Sequence, residues 1–181
     1  MMQLFRAAER AETRWKNGGG ITRPVASAPG QGREFGWRLS LADISAPGPF
    51  SLFPGISRLM GILEGRLRLE VQRLPVVVLS PSDAAFAYPG EAPTFGAPLG
   101  GMVRGINLMF DPACFAATLD YAAPRLHRPA GPATHIILAL APLKLNGILL
   151  GTCDAALLAA GEEIHAEGGP LWIAGLTPPV T

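Results

Sequence analysis

Short runs in which hydrophobic and polar residues alternate fill much of this chain, and this period of two predicts β-strands. The clearest run spans Phe35 to Ile44, where Arg38 and Ser40 fall on one face of the predicted strand and Trp37 falls on the other. If the polar face lines a cavity, Arg38 points into it, and if that face is turned outward, Arg38 is solvated. The alternation leaves both possibilities open.

Further strands follow at short intervals and are separated by proline and glycine. The segments Ser57 to Leu63 and Leu67 to Leu74 predict a hairpin that turns at Glu64 and Gly65. Pro75 to Leu79 predicts a buried strand, because it is rich in β-branched residues. Many short strands of this kind favour an all-β fold.

Polar residues interrupt two of the apolar strands. Arg58 follows a Pro-Gly turn, and a guanidinium that is buried there requires a partner from the protein or from a ligand. In the segment Val103 to Phe110, an odd number of positions separates Arg104 from Asn107, so a regular strand places them on opposite faces. We expect Asn107 to point inward, where its amide must find hydrogen-bond partners.

The chain is predicted to divide into a larger unit, residues 1–111, and a smaller one, residues 112–181. The larger unit contains two similar strand-turn segments, which suit a jelly roll built from paired hairpins. The smaller unit is predicted to be a second β sandwich, with an Asn-Gly hairpin within Lys144 to Ile148. A helix of one or two turns is predicted over Asp154 to Ala160, because the aspartate suits an N-cap.

Composition supports the all-β prediction and limits the kinds of partner. The 181 residues are 49% hydrophobic and include 22 glycines and 18 prolines, which interrupt long helices. The net charge of +1 argues against binding to nucleic acid or to a membrane surface through bulk electrostatics. Residues 1–73 nevertheless carry +5 and residues 74–181 carry −4. The positive part is expected to attract anions, although scattered surface arginines would give the same values.

Residues for several kinds of catalysis are missing. His127, His135 and His165 are the histidines, and none is paired at metal-ligand spacing, so we expect no metal and no other cofactor. Cys114 and Cys153 lie in no nucleophile motif, and we expect both to be reduced, buried thiols. The charged N-terminal segment lacks a signal-peptide pattern, and no apolar run approaches the roughly 20 residues of a membrane helix. These patterns predict a cytoplasmic protein.

A glycine-rich stretch from Trp15 to Arg23 combines three glycines with two cations and an amide. Glycine can adopt positive φ and allows the backbone to approach another group closely. The stretch could therefore form a concave site in which Lys16, Asn17 and Arg23 donate hydrogen bonds to an anion. A solvated surface turn is compatible with the same residues, and their spacing does not separate the two interpretations.

Taken together, the candidates predict a cavity that is rich in donors and poor in acids, bases and metal ligands, which suits a small carboxylate. Asp43 is expected to be a buried partner for an arginine rather than a catalytic acid. No catalytic residue is predicted, but Lys16 would serve if the protein is an enzyme, because burial can tune a lysine. The predicted ligand-binding residues are Lys16, Asn17, Arg23, Trp37, Arg38, Ser51, Arg58 and Asn107.

Four segments of the chain resemble the HutD/Ves family of bacterial bicupin proteins. Their order and spacing agree with that family from Phe5 to Asp111, and the remaining residues are compatible with its smaller second half. The segments are WKNGGGITR at 15–23, FGWRLSLADI at 35–44, GPFSLFPGISRLMGILEG at 48–65 and FAYPGEAPTFGAPLGGMVRGINLMF at 86–110.

The resemblance implies a bicupin fold, with two cupin-like jelly-roll barrels in one chain. It also implies a protein that binds a small carboxylate, such as urocanate or formylglutamate, and that takes part in the control of histidine utilisation or in a stress response. Ser57 and Gly105 stand where the family usually has an acidic residue. A carboxylate that could orient Arg58 or Arg104 is therefore missing at each position, and the ligand could differ.

Three functions are compatible with these observations. The first is a non-enzymatic binding protein, the second is a metal-independent enzyme that acts on a small organic acid through Lys16, and the third is an interaction scaffold that takes no ligand. Turnover of a bound acid distinguishes the second function from the first. Nucleic-acid and membrane partners are not expected, whereas a homodimer is, because jelly rolls often pair through exposed strand edges.

Overall fold

The computed structural model describes residues 2–81, 83–123 and 125–178. These residues form strands and connecting turns, and the helical structure among them is a single 3₁₀ turn at Ala7–Glu9. The prediction of an all-β chain is thereby confirmed. No helix in the described ranges has the length and apolar character needed to cross a membrane.

Nineteen strands lie within the described residues. The first eleven are β1 (Gln3–Phe5), β2 (Thr13–Arg14), β3 (Gly20–Ala28), β4 (Trp37–Ile44), β5 (Gly48–Pro49), β6 (Ser57–Glu64), β7 (Leu67–Val71), β8 (Val77–Leu79), β9 (Phe86–Pro89), β10 (Thr94–Pro98) and β11 (Val103–Phe110). The others are β12 (Ala116–Ala122), β13 (Arg125–Arg128), β14 (Thr134–Ala139), β15 (Leu143–Leu145), β16 (Ile148–Leu150), β17 (Ala155–Leu158), β18 (Ile164–Gly168) and β19 (Leu171–Thr177).

The chain folds as two compact units. The larger unit is Ala11–Ala113, and the smaller unit combines the residues up to Arg10 with those from Cys114 onward. The predicted division at residue 111 differs from this mainly at the N-terminus, because β1 pairs antiparallel with β17 and Phe5 lies opposite Ala155. The first strand of the sequence therefore belongs to the smaller unit.

In the larger unit, two open sheets enclose a hydrophobic core. The six-stranded sheet has the order β2-β3-β4-β11-β6-β9, and the four-stranded sheet has the order β5-β10-β7-β8. Ile44 and Ile62 from the first sheet pack in one cluster with Leu67 and Leu69 from the second. Each of these side chains is almost completely buried, as the period of two along each strand requires.

The smaller unit repeats this arrangement with shorter strands. Its five-stranded sheet has the order β1-β17-β14-β19-β12, and its four-stranded sheet has the order β13-β18-β15-β16. Ile137 and Ile173 from the first sheet pack with Leu145 and Ile164 from the second. Both units are thus β sandwiches built from two open sheets.

The short helix predicted over Asp154 to Ala160 is wrong, because Ala155–Leu158 forms β17 between β1 and β14. Ala155, Ala156 and Leu158 are completely buried, so core packing outweighs their helical propensity. Asp154 does accept backbone N–H groups, but these come from Ala7 at 2.8 Å and Gly151 at 3.0 Å rather than from a helix.

The predicted hairpin around Glu64 and Gly65 is also wrong, because β6 pairs with β11 and β9 whereas β7 pairs with β10 and β8. The chain crosses from one sheet to the other at this turn. The segment Pro75 to Leu79 is not buried throughout, since β8 is an edge strand and Val78 is 43% exposed. By contrast, the Asn-Gly hairpin is confirmed, with Leu145 paired to Ile148.

Cys114 and Cys153 are both free and half-buried, so the prediction that both are buried is wrong.

Candidate functional site

A cavity of about 460 Å³ lies against one face of the six-stranded sheet. Strand register builds its floor, because Met109 of β11 is paired with Arg38 of β4 on one side and with Arg58 of β6 on the other. One step along, Asn107 lies between Ser40 and Met60 in the same way. Residues two apart on a strand share a face, so these six side chains form one continuous surface.

Aromatic side chains and the glycine-rich turn form the walls. Trp15 packs edge-on against Phe50 with 5.6 Å between ring centroids, and its Nε1 donates to the hydroxyl of Thr22 at 2.8 Å. Gly20 permits this packing, since a Cβ there would lie 3.1 Å from the Trp15 ring and 2.6 Å from a backbone oxygen of Asp43. The glycine requirement at this position is therefore steric.

The anion-site hypothesis expected the donors of the glycine-rich turn to point into the cavity. Several of them instead bond within the turn or to a neighbouring segment. The N–H of Gly18 donates to the carbonyl of Trp15, and the N–H of Gly19 donates to Oδ1 of Asn17. The Nδ2 of Asn17 donates to the carbonyl of Pro49 at 3.4 Å. The turn thus closes on itself, and Asn17 supports its shape while lining the cavity.

Arg58 is the most deeply buried cation of the cavity and is 6% exposed. Its guanidinium carbon lies 4.9 Å from the ring centroid of Tyr88, 5.6 Å from that of Phe50 and 5.8 Å from that of Phe53. Its Nη1 donates to the carbonyl of Ser51 at 3.4 Å, and its Nε has no hydrogen-bond partner in the described part of the chain. The aromatic faces stabilise this cation only in part.

The charge on Arg58 is costly in this position. Burial lowers the pKa of Arg58, and Tyr88 opposes the shift while the positive charge of Arg38 adds to it. Burial also raises the pKa of Tyr88, whose hydroxyl finds no partner among the described residues. A guanidinium stays protonated in proteins, so Arg58 is a buried cation that lacks an anion.

Arg38 is the second cation on the floor of the cavity and is less deeply buried than Arg58. Its guanidinium carbon lies 4.5 Å from the ring centroid of Phe35 and 5.4 Å from that of Phe53, and its Nη2 contacts Sδ of Met109 at 3.6 Å. Its ion pair is a 3.6 Å contact with the exposed carboxylate of Glu34. Burial lowers the pKa of Arg38, and Glu34 offsets only part of that shift.

The lining has positive charges and no compensating acid. Arg14 and Lys16 stand at the glycine-rich turn, in addition to the two floor arginines. Among the described residues that line the cavity there is no aspartate, glutamate, histidine or cysteine. The Oδ1 of Asn107 is also buried without a partner in the described ranges. Such a site can bind an anion.

The opposite face of the same sheet has the reverse character. Asp43 accepts hydrogen bonds from Nε of Arg104 at 2.7 Å and from Nη1 of Arg23, and Arg23 also bonds Glu12 at 2.7 Å. Burial pushes the pKa of Asp43 upward, but the hydrogen bonds from Arg104 and Arg23 outweigh it and hold the pKa below its ordinary value. The expectation that Asp43 partners an arginine is confirmed by these bonds.

Two predicted binding residues lie away from the cavity. Arg23 faces Asp43 on the opposite side of the sheet, and Trp37 is buried without lining the cavity. The six predicted residues that the structure does bring together are Lys16, Asn17, Arg38, Ser51, Arg58 and Asn107.

Sequence reasoning missed other contributors to the lining and to the surroundings of Arg58. Arg14, Met60 and Met109 line the cavity, and Tyr88 lies beside Arg58. The spacing of Arg58 and Met60 already places them on one face of a strand. The pairing of that strand with β11 and β9, which brings in Met109 and Tyr88, has no comparable signal in the sequence.

No group of three or more His, Cys, Asp or Glu side chains suitable for a metal ion occurs within residues 2–81, 83–123 and 125–178. His135 is buried in β14, and burial lowers its pKa, with the charge of Arg128 adding to the shift. His127 and His165 lie next to each other on the second sheet of the smaller unit.

Comparison with known proteins gives a consistent result. A family model described as HutD matches residues 7–170. A protein from Pseudomonas putida, described as an uncharacterized 21.2 kDa protein in the hutC 3' region, is 35% identical over 173 residues, which cover 90% of each chain. Protein Ves from Citrobacter koseri is 42% identical over 64 residues, which cover 35% of this chain and 34% of Ves.

Solved structures extend the comparison to the fold. The structure of HutD from Pseudomonas fluorescens SBW25, described as a formate condition, has a TM-score of 0.91 and 28% identity, and the match covers 99% of this chain and 100% of that one. Cupin-like structures with 9% to 13% identity superpose with TM-scores from 0.60 to 0.73. These distant structures share the fold alone.

Proposed function

The chain belongs to the HutD family, and from this premise we propose that it binds a small carboxylate and regulates histidine utilisation or a related catabolic or stress response. The ligand class includes urocanate and formylglutamate. We further propose that its two β sandwiches correspond to the two cupin-like barrels of a bicupin.

The observation that carries the proposal is the uncompensated charge of the cavity. Arg58 is buried among rings, and its neighbours in the lining include a second arginine and no acid. A carboxylate between Arg58 and Arg38 would supply the missing anion and accept charge-assisted hydrogen bonds, which are about twice as strong as neutral ones. The apolar walls would cover the rest of a small ligand.

The family relatives support the link to histidine catabolism. The protein from Pseudomonas putida is named for its position in the hutC 3' region. The HutD structure from Pseudomonas fluorescens is described as a formate condition, and formate is the smallest carboxylate. Both statements concern those proteins, and they make carboxylates of that pathway the first ligands to test here.

A metal-independent enzyme is the second candidate. Lys16 lines the cavity at the glycine-rich turn, and an amine is a group that enzymes use as a nucleophile, but Lys16 is exposed and lacks the burial that the sequence-based hypothesis required. The lining provides no acid or histidine to assist it. We therefore place binding before catalysis.

Isothermal titration calorimetry with formate, urocanate and formylglutamate tests the proposal. The wild-type chain is compared with Arg58→Ala and Lys16→Ala, and the ligand is recovered and analysed by chromatography. Arg66→Ala is the matched control, because Arg66 is an exposed arginine of the same unit outside the cavity. We expect saturable binding by wild type and by Arg66→Ala, loss of binding in Arg58→Ala, weaker binding in Lys16→Ala, and unchanged ligand.

Two outcomes would redirect the interpretation. Consumption of the ligand by wild type but not by Lys16→Ala would establish the enzyme instead. If none of the three acids binds, or if Arg66→Ala loses as much affinity as Arg58→Ala, the cavity is not a carboxylate site.

A further inference from the structure

Two histidines meet on the exposed face of the four-stranded sheet of the smaller unit. His127 of β13 and His165 of β18 are direct cross-strand partners. Their Nδ1 atoms are 3.1 Å apart, and their ring centroids are 4.3 Å apart. Both residues are exposed, so the pair is accessible to ions in solution.

The distance between the two nitrogens matches what one metal ion requires of neighbouring ligands. With metal–nitrogen bonds of about 2.0–2.1 Å, two nitrogens 3.1 Å apart subtend an angle of roughly 100° at the metal. This value lies between the tetrahedral and square-planar angles. Rotation of the exposed rings would turn both lone pairs to a common point without moving the backbone.

The surroundings hold His165 in position. Its backbone N–H donates to Oδ1 of Asn146 at 2.8 Å, and Nδ2 of Asn146 donates to the carbonyl of Glu163 at 2.8 Å. The carboxylate of Glu163 lies 3.4 Å from Nε2 of His165. Histidine ligands commonly donate their second ring N–H to such a carboxylate, which fixes the tautomer with the first nitrogen free to bind metal.

Charged side chains near the pair are balanced in number, and the acid Glu163 contacts one of the rings. Glu163 directly precedes β18 and Glu167 lies in β18, so the two acids flank His165 along the chain. Glu167 lies opposite Arg125 and Lys144 in the sheet, so its charge is partly offset, whereas Glu163 is directed to the histidine.

We propose that His127 and His165 form a surface site for a divalent transition-metal ion, with the two Nδ1 atoms as protein ligands and Glu163 as the residue that orients His165. No third ligating side chain joins them within the described residues, so water completes the coordination. Imidazole ligands and an angle near 100° suit Cu²⁺, Ni²⁺ and Zn²⁺, and the order of intrinsic affinities puts Cu²⁺ first. This site is independent of the carboxylate cavity.

Calorimetric titration of the untagged chain with Ni²⁺ and Zn²⁺, together with EPR of the Cu²⁺-loaded chain, tests the proposal. All proteins carry Cys114→Ser and Cys153→Ser, because both thiols are partly accessible and bind metals. We expect one ion per chain, with affinity reduced at least tenfold in His127→Gln and in His165→Gln. Glu163→Gln is expected to weaken binding by about tenfold, as second-sphere changes do.

The third histidine provides the matched control. His135 is buried in β14, which belongs to the other sheet of the smaller unit, so His135→Gln should leave the affinity unchanged. EPR should show splitting from two imidazole nitrogens in the parent and from one in each single variant of the pair. Equal affinity of the parent, His127→Gln and His165→Gln, or a spectrum with fewer than two imidazole nitrogens in the parent, would overturn the site.

Discussion

Both faces of the six-stranded sheet carry arginines, but only one face also provides a carboxylate that pairs with them. On one face, Arg23 and Arg104 share the carboxylate of Asp43. On the other, Arg38 and Arg58 line a cavity whose described lining contains no acid. Cations that have protein partners contribute to stability, whereas buried cations without partners reduce it and remain available to a ligand. The two faces of one sheet thus separate arginines that share a carboxylate from arginines that line the cavity.

The largest expected effect comes from removing the buried cation of the cavity face. Arg58→Met keeps much of the side-chain volume and removes the charge, so affinity for the carboxylate should fall by about 3 kcal/mol, or roughly 150-fold. The free energy of unfolding should stay the same or rise, because an unpartnered buried charge is gone. Calorimetry and urea denaturation measure the two effects. A variant that loses both binding and stability would show that Arg58 is structural.

Removing the acid of the opposite face should have the reverse effect. Asp43→Asn weakens the bonds to Arg23 and Arg104, and the free energy of unfolding should fall by about 2–3 kcal/mol, less than for a fully buried pair, because both arginines are partly exposed. Ligand affinity should change less than threefold. Urea denaturation of wild type and variant measures the loss. A strong loss of binding without a loss of stability would contradict the assignment of the two faces.

The third effect is a pH dependence of the free energy of unfolding that arises from Asp43 on the acid-bearing face. Because the pKa of Asp43 is lower in the folded chain than its ordinary value, its ion pairs stabilise the fold above about pH 4–5, and the stabilisation disappears as the pH falls through the folded pKa. The difference in unfolding free energy between wild type and Asp43→Asn should therefore shrink as the pH falls through the folded pKa of Asp43. A difference that is constant with pH would disprove the linkage.

Arg38→Gln should give the smallest of these effects. Arg38 is less buried than Arg58 and has a weak contact with Glu34, so carboxylate affinity should fall by about tenfold. Stability should change by less than about 0.5 kcal/mol, as for most exposed sites. The measurements are calorimetric titration and urea denaturation, as for Arg58→Met. An equal loss of affinity in both variants would mean that the two arginines bind the ligand as one unit.

The sequence predicted the all-β class, the cationic cavity and the partner role of Asp43, because each depends on local alternation or on residue type. It could not place Arg23, since the face that Arg23 occupies depends on a register shift in β3 between Pro24 and Ala26. It also missed the pairing of His127 with His165, because residues far apart in the sequence become neighbours only through strand pairing.

Local propensity was misleading wherever tertiary packing decided the structure. The alanines and leucines after Asp154 favour a helix in isolation, yet burial on both sides of the five-stranded sheet makes them a strand. Similarly, the turn at Glu64 and Gly65 is visible in the sequence. Turn residues do not indicate whether the next strand pairs in the same sheet or in the other one.

Pairing of the first strand with β17 affects the order in which the protein can fold during synthesis. A chain leaves the ribosome from its N-terminus, so β1 emerges well before its partner β17, in which Ala155 lies opposite Phe5. The segment Ala11–Ala113 can fold while translation continues, whereas the smaller unit must wait with an unpaired edge strand. A bulky N-terminal fusion would therefore disturb the late-folding unit and spare the carboxylate cavity.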